Sequence, residues 1–413
     1  MRRPRVVITG MGVVAANGIG LPAFWDSLVR GHHGLGPITL FDASRHPIQV
    51  AGEVKNFKLS DYVNGSIKPK RLARHTQFAV AAVRMALDQA GIPGRQLPPK
   101  TEAALYFGVS TSAVEIIQRC HVDVMERGAL GVHPFLLAAS QPNDPATVLG
   151  DYFGISRRMT FSTACAAGMD ALTQGARLIR EGVVDMVVAG GADAPINELT
   201  LASFSAAGIL PYALEGGEHI NRPFDADRKG GLFAEGSAAL VMERLDHALA
   251  RGAQPIAEIK SSGCRCDASV QQSFEGLPGA IDDALANAGI PDAHIQYINA
   301  HGPGHPLLDI FESKAIRDVF GAKAVTIPLS SIKGNLGNPL AAAGVLQVIA
   351  STYALYQGVV PPTANLVNVD PECGPLGHVY GTARIGVLDN ALVNSHGMGG
   401  SNTCMVLGRA PQA

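Results

Sequence analysis

The chain has 413 residues, 47% hydrophobic and 16% charged, with a formal net charge of −2. That length buries a large core, and the balance excludes a disordered chain and gives no global basic excess for nucleic acid or a membrane surface. With 47 glycines and only 6% aromatics, the composition suits an α/β protein with many tight strand–helix turns.

In chain order, Met1–Arg5 followed by an apolar stretch superficially resembles a signal peptide. The apolar part, Val6–Gly10, is short and breaks at glycines, so it reads as a first strand, Arg5 to Ile8, entering a glycine-rich turn. His75 to Gly91 carries Phe78, Ala81, Ala82, Met85, Ala86 and Ala90 at helical spacing and ends at Gly91-Ile92-Pro93. Ala104 to Gly108 reads as a strand, Cys165 to Gly182 as a helix, and Val183 to Ala189 as a strand. In the second half, helices are predicted over Gly279–Gly289, Asp309–Phe320 and Pro339–Gln357, with a strand at Ile295–Asn299. The repeated strand–helix order predicts parallel strands with helices on both faces.

Gly236–Arg244 and Gly400–Arg409 are both Gly-Ser entries into an apolar strand, an internal echo that hints at duplication. The polar, proline-containing segment Asp246–Pro255 is the best boundary. It divides the chain into halves at 1–250 and 251–413 that share one core. The apolar run Leu340–Leu355, interrupted by Gln347, Ser351 and Thr352, is expected to be a buried helix too short to span a bilayer. Cys120, Cys165, Cys264, Cys266, Cys373 and Cys404 are scattered. They form no disulfide framework and fit a reducing cytoplasm. Cys264-Arg265-Cys266 has no second ligand pair, so no metal site is expected.

Cys165 has the strongest local setting. In Thr160–Asp170 an apolar, hydroxyl-bearing approach leads to a cysteine flanked by very small residues, with a helix starting directly after it. A free cysteine ordinarily just packs in a core. Here the helix N-terminus is expected to favour thiolate and lower the thiol pKa, and small neighbours leave room for substrate and backbone N–H groups.

Taken in order, several segments resemble the elongating β-ketoacyl-acyl carrier protein synthases of the thiolase-fold superfamily. They are Val6–Gly12, Ser162–Gly168, Asn221–Arg228, Asn299–Gly302, Ser330–Lys333 and Gly397–Asn402, and they cover nearly the whole chain. The resemblance implies an α/β thiolase-like fold, with duplicated βαβαβαββ halves in a five-layered αβαβα arrangement. It implies that Cys165 is the nucleophile taking an acyl chain from a carrier-protein thioester. His301 is similar to the first active-site histidine, Lys333 to the active-site lysine, and Glu312 to the acidic residue that interacts with that lysine. The backbone N–H groups of Cys165 and Met398 would form an oxyanion hole. No bound cofactor is implied, because phosphopantetheine arrives on the acyl carrier protein.

The departures from that family are informative. Asn338 stands where a second histidine is usual, giving a Cys165–His301–Asn338 set that also resembles chain-initiating and chalcone-synthase-like enzymes. An amide donates to an oxyanion but carries no titratable proton. Pro303 and His305 replace two threonines whose hydroxyls contact the pantetheine arm, with His305 still able to hydrogen-bond. His396 and Met398 replace gate phenylalanines and predict an altered acyl pocket, completed by Ser401 and Asn402; His396 is also a candidate substitute for the missing histidine.

Lys68, Lys70, Arg71 and Arg74 form a basic cluster suited either to solvation or to steering an acidic carrier protein. The resemblance implies a dimer, with itself or with a related subunit. The leading function is decarboxylative condensation in fatty-acid or polyketide assembly. Acyl transfer without decarboxylation and a non-catalytic partner subunit are the competing readings, the latter opposed by the intact Cys165 setting.

Overall fold

The structure, a computed structural model, describes residues 4–63, 67–95, 97–211, 221–268 and 274–411. The first half runs β1 (Val6–Ala15), α1 (Arg74–Gln89), β2 (Ala103–Gly108), α2 (Asp144–Phe153), β3 (Arg157–Phe161), α3 (Ala167–Arg180), β4 (Met186–Asp193) and β5 (Gly236–Arg244). The second half repeats the order: β6 (Ala257–Cys266), α4 (Leu277–Ala288), β7 (Tyr297–Asn299), α5 (Pro306–Phe320), β8 (Pro328–Ser330), α6 (Ala343–Gln357), β9 (Asn390–Gly397) and β10 (Ser401–Arg409). With the additional helices Leu21–Val29, Val114–Arg127 and Glu198–Ala206 of the first half set aside, each half is βαβαβαββ, and the two echoed segments are the equivalent strands β5 and β10.

The pairing repeats as well. In the first half the strand order is β1-β5-β4-β2-β3, and in the second β6-β10-β9-β7-β8, the two joined by antiparallel pairing of Val6–Ile8 with Ala257–Ile259. The expectation of parallel strands holds for only part of each half. The β2–β3, β2–β4, β7–β8 and β7–β9 pairs are parallel, whereas β1–β5, β4–β5, β6–β10 and β9–β10 are antiparallel. The physical reason lies in the connections. A helix between strands brings the chain back in parallel, whereas β9 and β10 are joined by the short turn at 398–400 and lie antiparallel, as β4 and β5 also do.

Five layers result. Helices α1 and α2 cover one outer face, α4 and α5 the other, and α3 packs against α6 between the half-sheets. Strands buried on both faces read as continuous apolar runs, as in β1 and β5, where nearly every residue is buried. Helix α3 turns Met169, Leu172, Ala176 and Ile179 into the core at helical spacing. Gly168 lets α3 approach the turn before α6, because a Cβ there would lie 2.2 Å from the Ala341 carbonyl oxygen. The Leu340–Gln357 segment, a 3₁₀ turn continuing into α6, is 18 residues long. By length and composition it is enough to cross a membrane, contrary to the sequence expectation. Its burial between the half-sheets is that of a core helix.

Candidate active site

Cys165 lies where β3 gives way to α3, within a 3₁₀ turn over Ala164–Ala166. The regular helix starts at Ala167, two residues later than predicted. Ala164 takes φ +52°, a left-handed conformation that costs an L-residue about 1–2 kcal/mol. The turn thereby presents Cys165 from the end of the strand. The glycine-rich turn between β9 and β10 closes against it, and a Cβ on Gly397 would lie 2.6 Å from the Thr163 carbonyl oxygen. This brings the backbone N–H of Met398 into a hydrogen bond with the Cys165 sulfur.

The second half supplies the partners. Asn338 follows a short helical turn, and its Oδ1 accepts from the Leu340 N–H at 3.2 Å. That leaves its NH₂ group to hydrogen-bond the Cys165 sulfur. His301 sits just past the end of β7, buried, with its Nδ1 accepting from the backbone N–H of His396 at 3.2 Å. A neutral imidazole accepting at Nδ1 carries its proton on Nε2. Burial, then the Lys333 charge, holds His301 well below the usual histidine range, so it is neutral at neutral pH.

Lys333 is fully enclosed. Its Nζ donates to the His301 carbonyl oxygen and lies 3.4 Å from both His301 Nδ1 and Gln347 Oε1. Burial lowers its pKa to about 8 against the opposing pull of Glu312. Glu312 interacts with Lys333 electrostatically, its charge opposing the fall in the lysine's pKa, without a direct ion pair between them. Its oxygens accept the N–H groups of His301 (2.8 Å) and Gly302 (2.7 Å) and the Asn394 amide (3.2 Å). It acts on Lys333 through its field and on His301 by fixing the strand-end backbone.

The thiol overturns one expectation. Burial raises Cys165 to about 11, and the Asp193 carboxylate adds to the rise. Lys333, Asn338 and the Met398 N–H pull the other way and do not compensate. Placement at a helix start is outweighed by desolvation of a charged sulfur.

Other predicted residues fall into different places. Pro303, Met398 and His396 line a narrow cavity of about 50 Å³ with Cys165, His301 and Asn338, its remaining wall being mainly apolar. His305 also borders it, but its Nδ1 accepts from the N–H groups of Leu307 and Leu308, capping α5, and its ring also hydrogen-bonds the Gly208 backbone. Its ring is therefore engaged by the protein at the edge of the cavity. Asn402 stands behind His396, accepting from its Nδ1 at 2.8 Å. Ser401 pairs with Gly397 and Cys266 across the sheet and is not in the cavity wall.

Of the basic cluster, Lys68, Lys70 and Arg71 are exposed. Arg74 borders one groove with Lys70 and Arg71 but is half-buried and makes a bidentate pair at 2.6 Å with the buried carboxylate of Glu235. Arg71 stacks on Phe135 at 4.3 Å. Arg119 and His133 join Lys70 and Arg71 around the same groove, an addition the sequence did not reveal. Cys264 and Cys266 are exposed, and among the described residues no group of three or more His, Cys, Asp or Glu is arranged to hold a metal.

Sequence reasoning missed four supporting residues. Gln347 holds the Ala300 and Asn394 carbonyls at 2.7 and 3.0 Å, and its only signal was a polar interruption in an apolar helix. Asp193 accepts from Thr111 N–H at 2.8 Å and Ala341 N–H at 2.9 Å, tying β4 to the turn before α6. Phe274 stacks on His396 with ring centroids 4.0 Å apart. Asp267 accepts from the Asn402 amide at 2.7 Å.

Duplicated halves enclosing a cysteine, a histidine, a lysine and an amide define a thiolase-fold protein of the ketosynthase type. The chain belongs to the β-ketoacyl synthase family: residues 3–248 match its N-terminal domain and 256–367 its C-terminal domain. It is 33% identical over 410 residues to the 3-oxoacyl-[acyl-carrier-protein] synthase 2 of a Synechocystis species, covering 98% of each chain. Among solved structures, the ishigamide ketosynthase/chain length factor superposes with a TM-score of 0.92 at 33% identity, covering 99% of this chain and all of that one. A type II polyketide synthase acyl carrier protein in complex with its hexaketide-bound ketosynthase also matches, with a TM-score of 0.89 at 28% identity and coverage of 99% and 100%.

Proposed function

We propose that this protein is a condensing enzyme that loads an acyl group from an acyl carrier protein onto Cys165 and joins it to a decarboxylated malonyl unit. The observation that carries this reading is one cavity lined by Cys165, Asn338, His301 and Met398, in which the Met398 N–H and the Asn338 amide favour the thiolate and the neutral His301 carries its hydrogen on Nε2.

In the first half-reaction the Cys165 sulfur attacks the thioester carbonyl. The tetrahedral oxyanion is held by the N–H groups of Cys165 and Met398, and the pantetheine thiol leaves. In the second, the malonyl carboxyl–carbon bond breaks and releases carbon dioxide. The electron pair moves into an enolate whose oxygen accepts from His301 Nε2 and Asn338 Nδ2. The enolate carbon then attacks the acyl-cysteine carbonyl, forming the new carbon–carbon bond and expelling the Cys165 thiolate. Lys333 sets the local potential and anchors His301. Pantetheine arrives with the carrier protein, and the steps call for no resident cofactor.

Carrier-protein docking is assigned to the exposed Lys68, Lys70, Arg71 and Arg119, of which Lys70, Arg71 and Arg119 border one groove. Dimerisation, with itself or with a related subunit, fits the open edge strand β3, where Met159 is half exposed, and the exposed Leu130 and Leu137 nearby in sequence.

The deciding experiment supplies acyl and malonyl carrier proteins and follows protein mass and carbon dioxide. Acylated Cys165 with carbon dioxide release and a 3-oxoacyl product is expected. Acylation without decarboxylation would favour plain acyl transfer, and no acylation would favour a non-catalytic subunit.

A further inference from the structure

His396 is almost completely buried and lines the cavity beside Cys165 and His301. Its hydrogen bonds fix its tautomer. Asn402 donates through its amide nitrogen to Asp267 Oδ1 at 2.7 Å and to the Gly400 carbonyl at 3.0 Å. Its Oδ1 must therefore be the acceptor facing His396, and His396 Nδ1 is the donor across 2.8 Å. The proton sits on Nδ1, and Nε2 presents a bare lone pair. That atom is buried and has no hydrogen-bond partner. Phe274, stacked at 4.0 Å and 19°, holds the ring in place.

The cavity thus holds two neutral imidazoles of opposite polarity. His301 offers a donor at Nε2, and His396, its ring centroid 5.8 Å away and nearly perpendicular, offers an acceptor. Most of the other lining is apolar, including Phe204, Leu210, Phe233 and Leu340. An acyl chain filling so narrow a space keeps water from the His396 lone pair. Unless the chain supplies a donor, a buried acceptor is left unsatisfied.

We propose that His396 is a specificity-determining residue that selects an acyl group carrying a hydroxyl on the carbon β to the thioester. The hydroxyl donates to Nε2, while Asn402 and Asp267 position the ring. This rests on the acyl-loading role of Cys165 proposed above.

The test offers the intact protein a short carrier-protein-bound acyl pair of matched shape, β-hydroxybutanoyl and β-methylbutanoyl, in competition. Occupancy of Cys165 is read by mass. The expected result is a preference for the hydroxyl compound on the order of tenfold, against the trend an apolar pocket imposes. In His396→Phe the ratio should fall to one or reverse. His396→Gln, which keeps an acceptor, should retain part of the preference and serves where the phenylalanine variant folds poorly. An equal or methyl-favouring ratio in the parent protein, or an unchanged ratio in both variants, overturns the proposal while leaving Cys165 loading intact. Failure of either compound to label Cys165 at all, with a plain saturated chain also failing, overturns both the proposal and the loading role beneath it.

Discussion

The backbone N–H of His396 donates to His301 Nδ1 at 3.2 Å, so one strand of the second half fixes the proton of a histidine on another. With Nδ1 occupied, Nε2 carries the hydrogen toward the cavity, and Asn338 adds a second donor whose orientation is set by the Leu340 N–H. Removing one such donor typically costs on the order of 10²–10³ in rate. His301→Ala and Asn338→Ala should each slow malonyl decarboxylation by that order while Cys165 still acylates. Asn338→Asp should be worse than Asn338→Ala, because it replaces a donor with a negative acceptor beside the sulfur. Carbon dioxide release measured alongside acyl occupancy separates the two steps.

The Cys165 thiol sits at about 11, above its ordinary 9.0, because burial and Asp193 disfavour the thiolate more than Lys333 and the two hydrogen bonds favour it. The sign is plain: a raised thiol pKa means less thiolate at any pH below it. Iodoacetamide should therefore modify Cys165 more slowly than a free cysteine at pH 8. The rate should climb about tenfold per pH unit with no plateau before roughly pH 11. Lys333→Met should move the inflection higher still. Work in a Cys264→Ser, Cys266→Ser background removes the two exposed competitors. A plateau near pH 8 would show that the helix start governs the thiol after all.

His305 caps α5 as well as bordering the cavity. Its Nδ1 accepts from Leu307 and Leu308 at 3.2 and 3.4 Å at the start of α5, the helix that carries Glu312. His305→Ala should lower stability by about 1 kcal/mol, as loss of a cap does. Urea denaturation reads this directly. KM for the carrier-protein substrate should stay within about twofold of the parent, since the ring is engaged by the Leu307 and Leu308 N–H groups and the Gly208 backbone.

The basic cluster should split in two. Lys70→Glu with Arg71→Glu should weaken carrier-protein binding and reduce its salt dependence, leaving melting temperature nearly unchanged. Arg74→Ala should instead destabilise the protein by about 3 kcal/mol by stranding the buried Glu235 carboxylate. Parallel binding and thermal-melting series distinguish these roles. Equal binding losses without destabilisation would return Arg74 to the docking surface.

The full duplicated order was implied by family resemblance, whereas the sequence by itself determined several of the strands and helices in each half, because buried strands and amphipathic helices leave local periodicities that survive without any tertiary context. The echo between Gly236–Arg244 and Gly400–Arg409 is such a trace, and the structure places both segments at the same position in their half-sheets. The sequence also singled out Cys165 by its small neighbours at a predicted helix start, and the family resemblance of the surrounding segments pointed to His301, Lys333 and Asn338. Strand direction in the sheets was less legible, since it depends on connections that periodicity does not encode. Charge states, tautomers and partners were decided only by the tertiary structure. Desolvation, and not the helix start, sets the thiol. Arg74 and His305 looked free but are held by Glu235 and by the first turn of α5. The opposite polarities of His301 and His396 exist only because distant strands and loops bring His396, Asn402 and Asp267 into one chain of hydrogen bonds.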